Sequence, residues 1–273
     1  MSRPFHKDQK ADPSAPRKLW QRIVPPALLI LILLGALQLL SDLGLIRHFV
    51  LPAPRQVVLS LVRDAGVILP HAGHTLGIAL AGFGLSILLG LAFALLMDRF
   101  VLLSDTFYPL ILISQTIPTL VITPVIVQIF GYSDWARLLV VVLVCFFPVT
   151  INSLSGLRSV DPDLLRMMQT MGASKGQIMR QVKLPSSLPS FFAGLRISST
   201  YCIMAAVLAE WAGGGDGLGI YMLRTKRSFR FDAMFASIIW IVVLSLAFYL
   251  SVLILERLAM PWKRSESKGD LNE

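Results

Sequence analysis

Apolar residues run through this chain in long blocks broken by short polar stretches. A helix that crosses a bilayer needs roughly 17–25 mostly apolar residues. Six blocks meet or approach that length: 23–40, 76–97, 107–130, 138–151, 188–209 and 234–255. The fourth reaches it when counted from Trp135, and the third contains Pro109, Pro118 and Pro124. Trp20 stands where an aromatic anchor at the membrane surface belongs. The pattern predicts an all-α membrane protein of six transmembrane helices. One membrane domain covers 20–262, with a disordered tail over 1–19 and a short tail over 263–273. An even number of spans puts both ends on one side of the membrane.

One of the few long polar interruptions, 161–185, has a pattern of its own. Asp161 is a helix cap, and Pro162 suits a first turn where a missing N–H costs nothing. Asp163 places negative charge at the positive end of the helix dipole. Leu164, Met168 and Met171 fall at i, i+4 and i+7, one apolar face of a short helix. Gly172 fits the left-handed position that stops a helix. Ser174 with Gln177 is a capping box, so a second helix starts there, and Pro185 ends it. Two short helices with a corner between them are therefore predicted. Elsewhere, Leu51-Pro-Ala-Pro54 gives an extended entry into an amphipathic helix, and 212–219 is a glycine-rich turn.

Composition agrees with the span pattern. The chain is 55% hydrophobic and 15% charged, with a mean hydropathy of +0.70. Soluble domains carry about 25% charged residues, so a soluble enzyme domain is excluded. The net charge of +9 arises from 25 Lys and Arg against 16 Asp and Glu. In a membrane protein such charge marks the cytoplasmic flanks of spans rather than nucleic-acid binding. With both termini inside, all the basic residues are cytoplasmic except Arg47, Arg55, Arg63, Arg137, Arg224, Lys226, Arg227 and Arg230. That places 152–187 in the cytoplasm; the cluster at 224–230 runs against the rule. Cys145 and Cys202 both lie inside apolar blocks and imply no disulfide framework. The polar N-terminal region lacks the pattern of a cleaved signal.

Few residues could carry chemistry. The chain has no G-x-x-x-x-G-K-[ST] phosphate loop, so it does not hydrolyse ATP by that route. His71-x-x-His74 reads as an interfacial pair before a span rather than as a metal site. Ion-coupled secondary transporters usually bury acids in their spans, and here Glu210 is the exception among spans nearly bare of them. Two readings of Glu210 stand side by side: a polar lining group of a solute path, or an interfacial residue that reaches water. Arg196, in the same span, is expected to snorkel to the headgroups. In the third span Gln115-Thr-Ile-Pro118 and Thr123-Pro124 interrupt helix hydrogen bonding. Irregular backbone at membrane depth is tolerated where it lines a cavity or packs in protein. Gln115, Thr116 and Thr119 are thus path residues or parts of a proline kink. Arg224, Lys226, Arg227 and Arg230 either contact an acidic protein surface or form a solvated loop.

At 164–185 the chain resembles the membrane permease subunits of bacterial ATP-binding-cassette importers. Their last cytoplasmic loop carries Glu-Ala-Ala, then a glycine, then Ile-x-Leu-Pro. Gly172, Val182 and Leu184-Pro185 match, while Arg166-Met167-Met168 stands in place of Glu-Ala-Ala. The likeness extends over most of 20–262. Leu51-Pro-Ala-Pro54, Thr116-Ile-Pro118, Ser159-Val-Asp-Pro162, Gly194-Leu-Arg196, Ala209-Glu-Trp211 and Gly217-Leu-Gly219 are similar to the sulfonate, taurine and nitrate permease group. The stretch from Tyr221 to Phe235 is more similar to permeases for the pyrimidine precursor of thiamine.

The resemblance implies the type I importer permease fold, with 161–185 as a cytoplasmic coupling helix. Leu164, Leu165, Arg166, Met167, Met168, Met171, Gly172 and Ala173 would then dock on an ATPase dimer, which binds the ATP and magnesium. A periplasmic or lipid-anchored solute-binding protein delivers the solute, and the basic cluster at 224–230 would meet it. A second permease copy completes the pathway in the bacterial inner membrane. The implied cargo is the thiamine pyrimidine precursor, with aliphatic sulfonate, taurine or nitrate as the alternative. An ion-coupled secondary transporter is the alternative class.

Overall fold

The computed structural model of the chain describes residues 19–45 and 51–262, with side chains from Val24 onward. The tail expectations at 1–18 and 263–273, the Trp20 side chain and Arg47 lie outside the described residues. Every regular element described is helical: α1 (Leu19–Asp42), α2 (Pro54–Arg63), α3 (Ala65–Arg99), α4 (Val101–Ser114), α5 (Thr119–Phe130), α6 (Asp134–Arg158), α7 (Pro162–Thr170), α8 (Lys175–Ile178), α9 (Leu184–Gly213), α10 (Leu218–Arg227) and α11 (Phe231–Ala259). The chain divides into two compact units, 1–56 and 57–273. In the first, α1 is an apolar helix whose residues Val24–Asp42 could cross a membrane. Gln38 holds this unit locally, donating to Asp42 Oδ1 at 2.9 Å and accepting from the Arg55 N–H at 3.1 Å.

The second unit is a bundle with α6 at its centre, packed along α3 on one side and α9 on the other. Without water between lipid-exposed helices, close approach of small residues drives such packing. A Cβ at Gly82 would strike Val141, and one at Gly194 would lie 2.7 Å from the Pro148 carbonyl oxygen and 2.9 Å from the Asn152 Cβ. Hydrogen bonds cross the same seams. Ser198 Oγ donates to the Cys145 carbonyl at 2.9 Å, and Cys202 Sγ contacts the Ala79 carbonyl at 3.3 Å. Phe83 and Phe248 meet edge to face at 4.9 Å and fasten α11 to α3. Gly194→Val is therefore expected to overpack the α6–α9 seam and cost about 1–3 kcal/mol. The thermal midpoint of the detergent-purified protein reads this out. Gly84→Ala, where nothing lies within 4 Å, should leave it unchanged; equal midpoints for the two variants would overturn the packing account.

The third expected span is not one helix. It starts earlier, at α4, and α4 and α5 meet at an angle of 103° across residues 115–118. Pro118, extended at φ −60° and ψ 128°, has no N–H to continue the ladder and starts a new helix. The pair still crosses the bundle. Arg158 donates to Ser104 Oγ at 2.6 Å, which places the start of α4 beside the end of α6. Arg137 lies 3.0 Å from His74 on the early part of α3, which places the start of α6 at the opposite end. Met97 and His74 are separated by about 35 Å along α3 at the α-helical rise per residue. The break is thus a kinked span and not a re-entrant loop.

The expectation that Pro185 ends a helix is also corrected. Residues Lys175–Gly213 form one continuous helical run, with a π-helical turn at Met179–Lys183 and Pro185 in the first turn of α9. A wider turn relieves the clash between a proline ring and the carbonyl four residues earlier, so the chain bulges and does not stop. Lys183 in this turn pairs with both carboxylate oxygens of Asp98 at 2.8 Å, tying it to the end of α3. Arg196 does not snorkel freely: it pairs with Glu256 of α11.

Candidate functional site

At one end of the bundle the expected corner is built as its sequence dictates. Asp161 caps α7 by accepting from the Asp163 N–H at 2.8 Å. Gly172 has φ +84°, and the N–H groups of Gly172 and Ala173 donate to the carbonyls of Gln169 and Met168, both at 3.0 Å. This paired closure needs a left-handed residue after the helix. Ser174 and Gln177 form both bonds of the capping box. The apolar face, however, is divided differently from the expected Leu164, Met168 and Met171. Leu165, Met168 and Ala173 are half-buried against the body, while Leu164, Met167 and Met171 stand in solvent at 39%, 53% and 77% exposure. Position 168 sits one step round the helix from 167, so it turns inward. Arg166 is exposed and, among the described residues, pairs only with Asp163, at 3.3 Å. A helix that buries none of its own residues and shows three long apolar side chains in register has the form of a docking element.

The break between α4 and α5 opens a cavity of about 360 Å³ toward α6 and α9. Gln115 and Thr119 line it, together with Phe147 and Pro148 of α6 and Tyr201 and Met204 of α9. No charged residue is among its walls. Thr116 lies outside the lining and folds its hydroxyl back to the Ile113 carbonyl at 2.7 Å. Tyr201, Phe147 and Met204 escape a sequence reading because they sit within apolar blocks. The available signal is Thr200-Tyr201, a polar pair at the middle of a span.

Glu210 neither lines this cavity nor reaches water, which corrects both readings of it. It is fully buried, accepting from Thr75 Oγ1 and from the Gly219 N–H, both at 2.7 Å. The neighbouring N–H groups are taken similarly: Leu218 donates to Thr75 Oγ1 at 2.9 Å and Gly217 to His71 Nδ1 at 3.1 Å. Side chains of α3 and α9 therefore satisfy the open N–H groups that begin α10. Arg137 of α6, 3% exposed, supplies the opposite half by donating to the carbonyls of Gly214 and Asp216 and to Asp134. His71 and His74 are thus members of a clamp on the glycine-rich loop.

The basic cluster is split. Arg224 donates to the Gly215 carbonyl at 3.0 Å, and Arg230 pairs with Asp64. Burial raises the Asp64 carboxyl, but hydrogen bonds from Arg63 and Ser60 and the charge of Arg230 outweigh it and hold it below its ordinary range. Lys226 and Arg227 are exposed with no partner among the described residues. Phe229, beside them, is 77% exposed and has φ +56°.

Residues 86–263, from within α3 to just past the last described residue, match the family described as binding-protein-dependent transport system inner membrane component. The chain belongs to this family. The formylaminopyrimidine transport permease protein ThiX of Halalkalibacterium halodurans is 35% identical over 80% of this chain and 88% of its own. The riboflavin transport system permease protein RibX of Chloroflexus aurantiacus is 29% identical over 80% of this chain and 82% of its own. The taurine transport system permease protein TauC of Escherichia coli is 28% identical over 81% and 83%. The protein is therefore a multi-pass inner-membrane permease subunit of an ATP-binding-cassette importer and not an enzyme. Its helices have the type I importer architecture, and it works with an ATPase subunit and a solute-binding protein.

Proposed function

We propose that this permease carries formylaminopyrimidine, a pyrimidine precursor of thiamine, delivered by an external solute-binding protein and driven by an ATPase dimer seated on α7. The exposed row Leu164, Met167 and Met171 supports the seat, because such a row is idle without a groove to receive it. Leu165, Met168, Gly172 and Ala173 hold the docking helix in position, and Arg166 faces solvent beside it. ATP and magnesium bind the ATPase subunit. Gln115 and Thr119 face the solute, whereas Thr116 and Glu210 stand outside its path. Lys226 and Arg227, with Arg224 and Arg230 at their flanks, form the rim that meets acidic patches of the binding protein. Two copies of the chain enclose the pathway, and both termini lie in the cytoplasm, as the distribution of Lys and Arg favours.

The cargo reading draws on the 35% identity to the formylaminopyrimidine permease. A second reading, taurine, draws on the comparable coverage of the taurine permease. Uptake of labelled formylaminopyrimidine and taurine into proteoliposomes bearing permease, ATPase and binding protein tests both. Formylaminopyrimidine should enter, and only with ATP and binding protein present. Taurine uptake in its place would establish the second reading. Uptake by the purified chain alone on an ion gradient would overturn the importer mechanism.

A further inference from the structure

We infer that the cavity at the α4–α5 break is a solute-binding site within the permease itself, shaped for an uncharged, flat, hydrogen-bonding ring, with Tyr201 as its selecting residue. This rests on the reading of the break as the solute path. The side chains of Gln115, Thr119 and Tyr201 have no hydrogen-bond partner among the described residues, and all three line the cavity. Gln115 and Thr119 flank the mid-span break, and Tyr201 lies at the middle of α9. Unpaired polar groups at membrane depth are costly unless water or a ligand satisfies them. Three such groups converging on one space therefore mark where a polar cargo rests.

The walls also state what the cargo is not. An anion leaving water needs a cation or several aligned donors. The lining offers neither Lys, Arg nor His. What it does offer is the Phe147 and Tyr201 rings, the flat Pro148 edge and the Met204 thioether. Aromatic rings stack on flat heterocycles, and a thioether adapts to ring edges. An amide and two hydroxyls supply donors and acceptors to ring nitrogens and amino groups. At about 360 Å³ the cavity is of the size that holds a small organic molecule. A neutral ring is accepted and a sulfonate is refused, so selection is exercised a second time after the binding protein.

Thiol accessibility in the intact permease–ATPase assembly tests this. Ile117 lines the same cavity and is 47% exposed, so Ile117→Cys puts a thiol on its wall while Tyr201, Gln115 and Thr119 stay in place. The native Cys145 and Cys202 are fully buried, and the unsubstituted protein reports any background from them. Ile122→Cys, at another apolar wall position, is a second probe should the first variant fail to assemble, and adding Tyr201→Ala to either should weaken protection by formylaminopyrimidine. An uncharged thiol reagent should label the introduced thiol. Formylaminopyrimidine at about twice its dissociation constant should slow labelling roughly threefold by occupancy, and taurine should not. No labelling at either position, equal slowing by taurine, or no slowing by either formylaminopyrimidine or riboflavin overturns the inference. Slowing by riboflavin alone, with no formylaminopyrimidine uptake, upholds the site and overturns the cargo proposed above.

Discussion

Glu210→Ala is expected to lower the thermal midpoint of the purified permease sharply and to abolish uptake, although Glu210 touches no solute. The substitution leaves the Gly219 N–H without its acceptor inside a dry site and turns the Thr75 hydroxyl to its weaker partner, the His71 carbonyl at 3.1 Å. Each buried donor left unpaired costs about 1–3 kcal/mol. The loss then spreads, because Thr75 also accepts from Leu218 and so positions the first turn of α10. Glu210→Gln keeps one acceptor oxygen and should fall between. Gly217→Ala attacks the same clamp from the loop side. Its φ of +134° disfavours any side chain, and the new Cβ would land on the Glu210 carboxyl. Both routes reach function through α9, which carries Tyr201 midway and continues from the π-helical turn near the docking helix. A wild-type midpoint in Glu210→Ala, read by fluorescence-monitored thermal unfolding, would show that the clamp carries no stability.

The features legible in the sequence are those set by neighbours along the chain. Spans follow from runs of apolar residues, and the corner at 161–178 follows from Asp161, Gly172, Ser174 and Gln177, each acting within a few positions. What stayed hidden depends on distance. Glu210 meets Thr75 across 135 positions and Arg196 meets Glu256 across 60, so each looked like a lone charge with only lipid or water to turn to. Proline was ambiguous in the same way. Pro118 breaks a span by 103° whereas Pro185 is absorbed into a continuing helix. The residue type alone does not choose between these outcomes, since the surrounding helices decide whether a wider turn or a new direction satisfies the backbone. The inward turn of Met168 was likewise settled by where α7 rests on the body.

Met167→Asp is expected to release the ATPase subunit and stop uptake while the chain still inserts and folds. Met167 is the centre of the exposed row on α7 and is 53% exposed, so charge there costs the isolated permease little. Docked in an apolar groove, the same carboxylate would be stripped of water without a partner. Loss of a central anchor typically costs 2 kcal/mol or more, roughly a thirtyfold loss of affinity. Co-purification of the ATPase subunit with tagged permease and ATP-dependent uptake should fall together, with an unchanged permease midpoint. Arg166→Glu separates charge from packing. It exchanges the exposed Asp163 pair for a repulsion of about 0.2–0.5 kcal/mol and leaves the apolar row untouched. It should therefore keep the ATPase subunit bound. Release by Arg166→Glu with retention by Met167→Asp would reverse the assignment, making an acidic partner of Arg166, and not the Leu164–Met167–Met171 row, the grip on the motor.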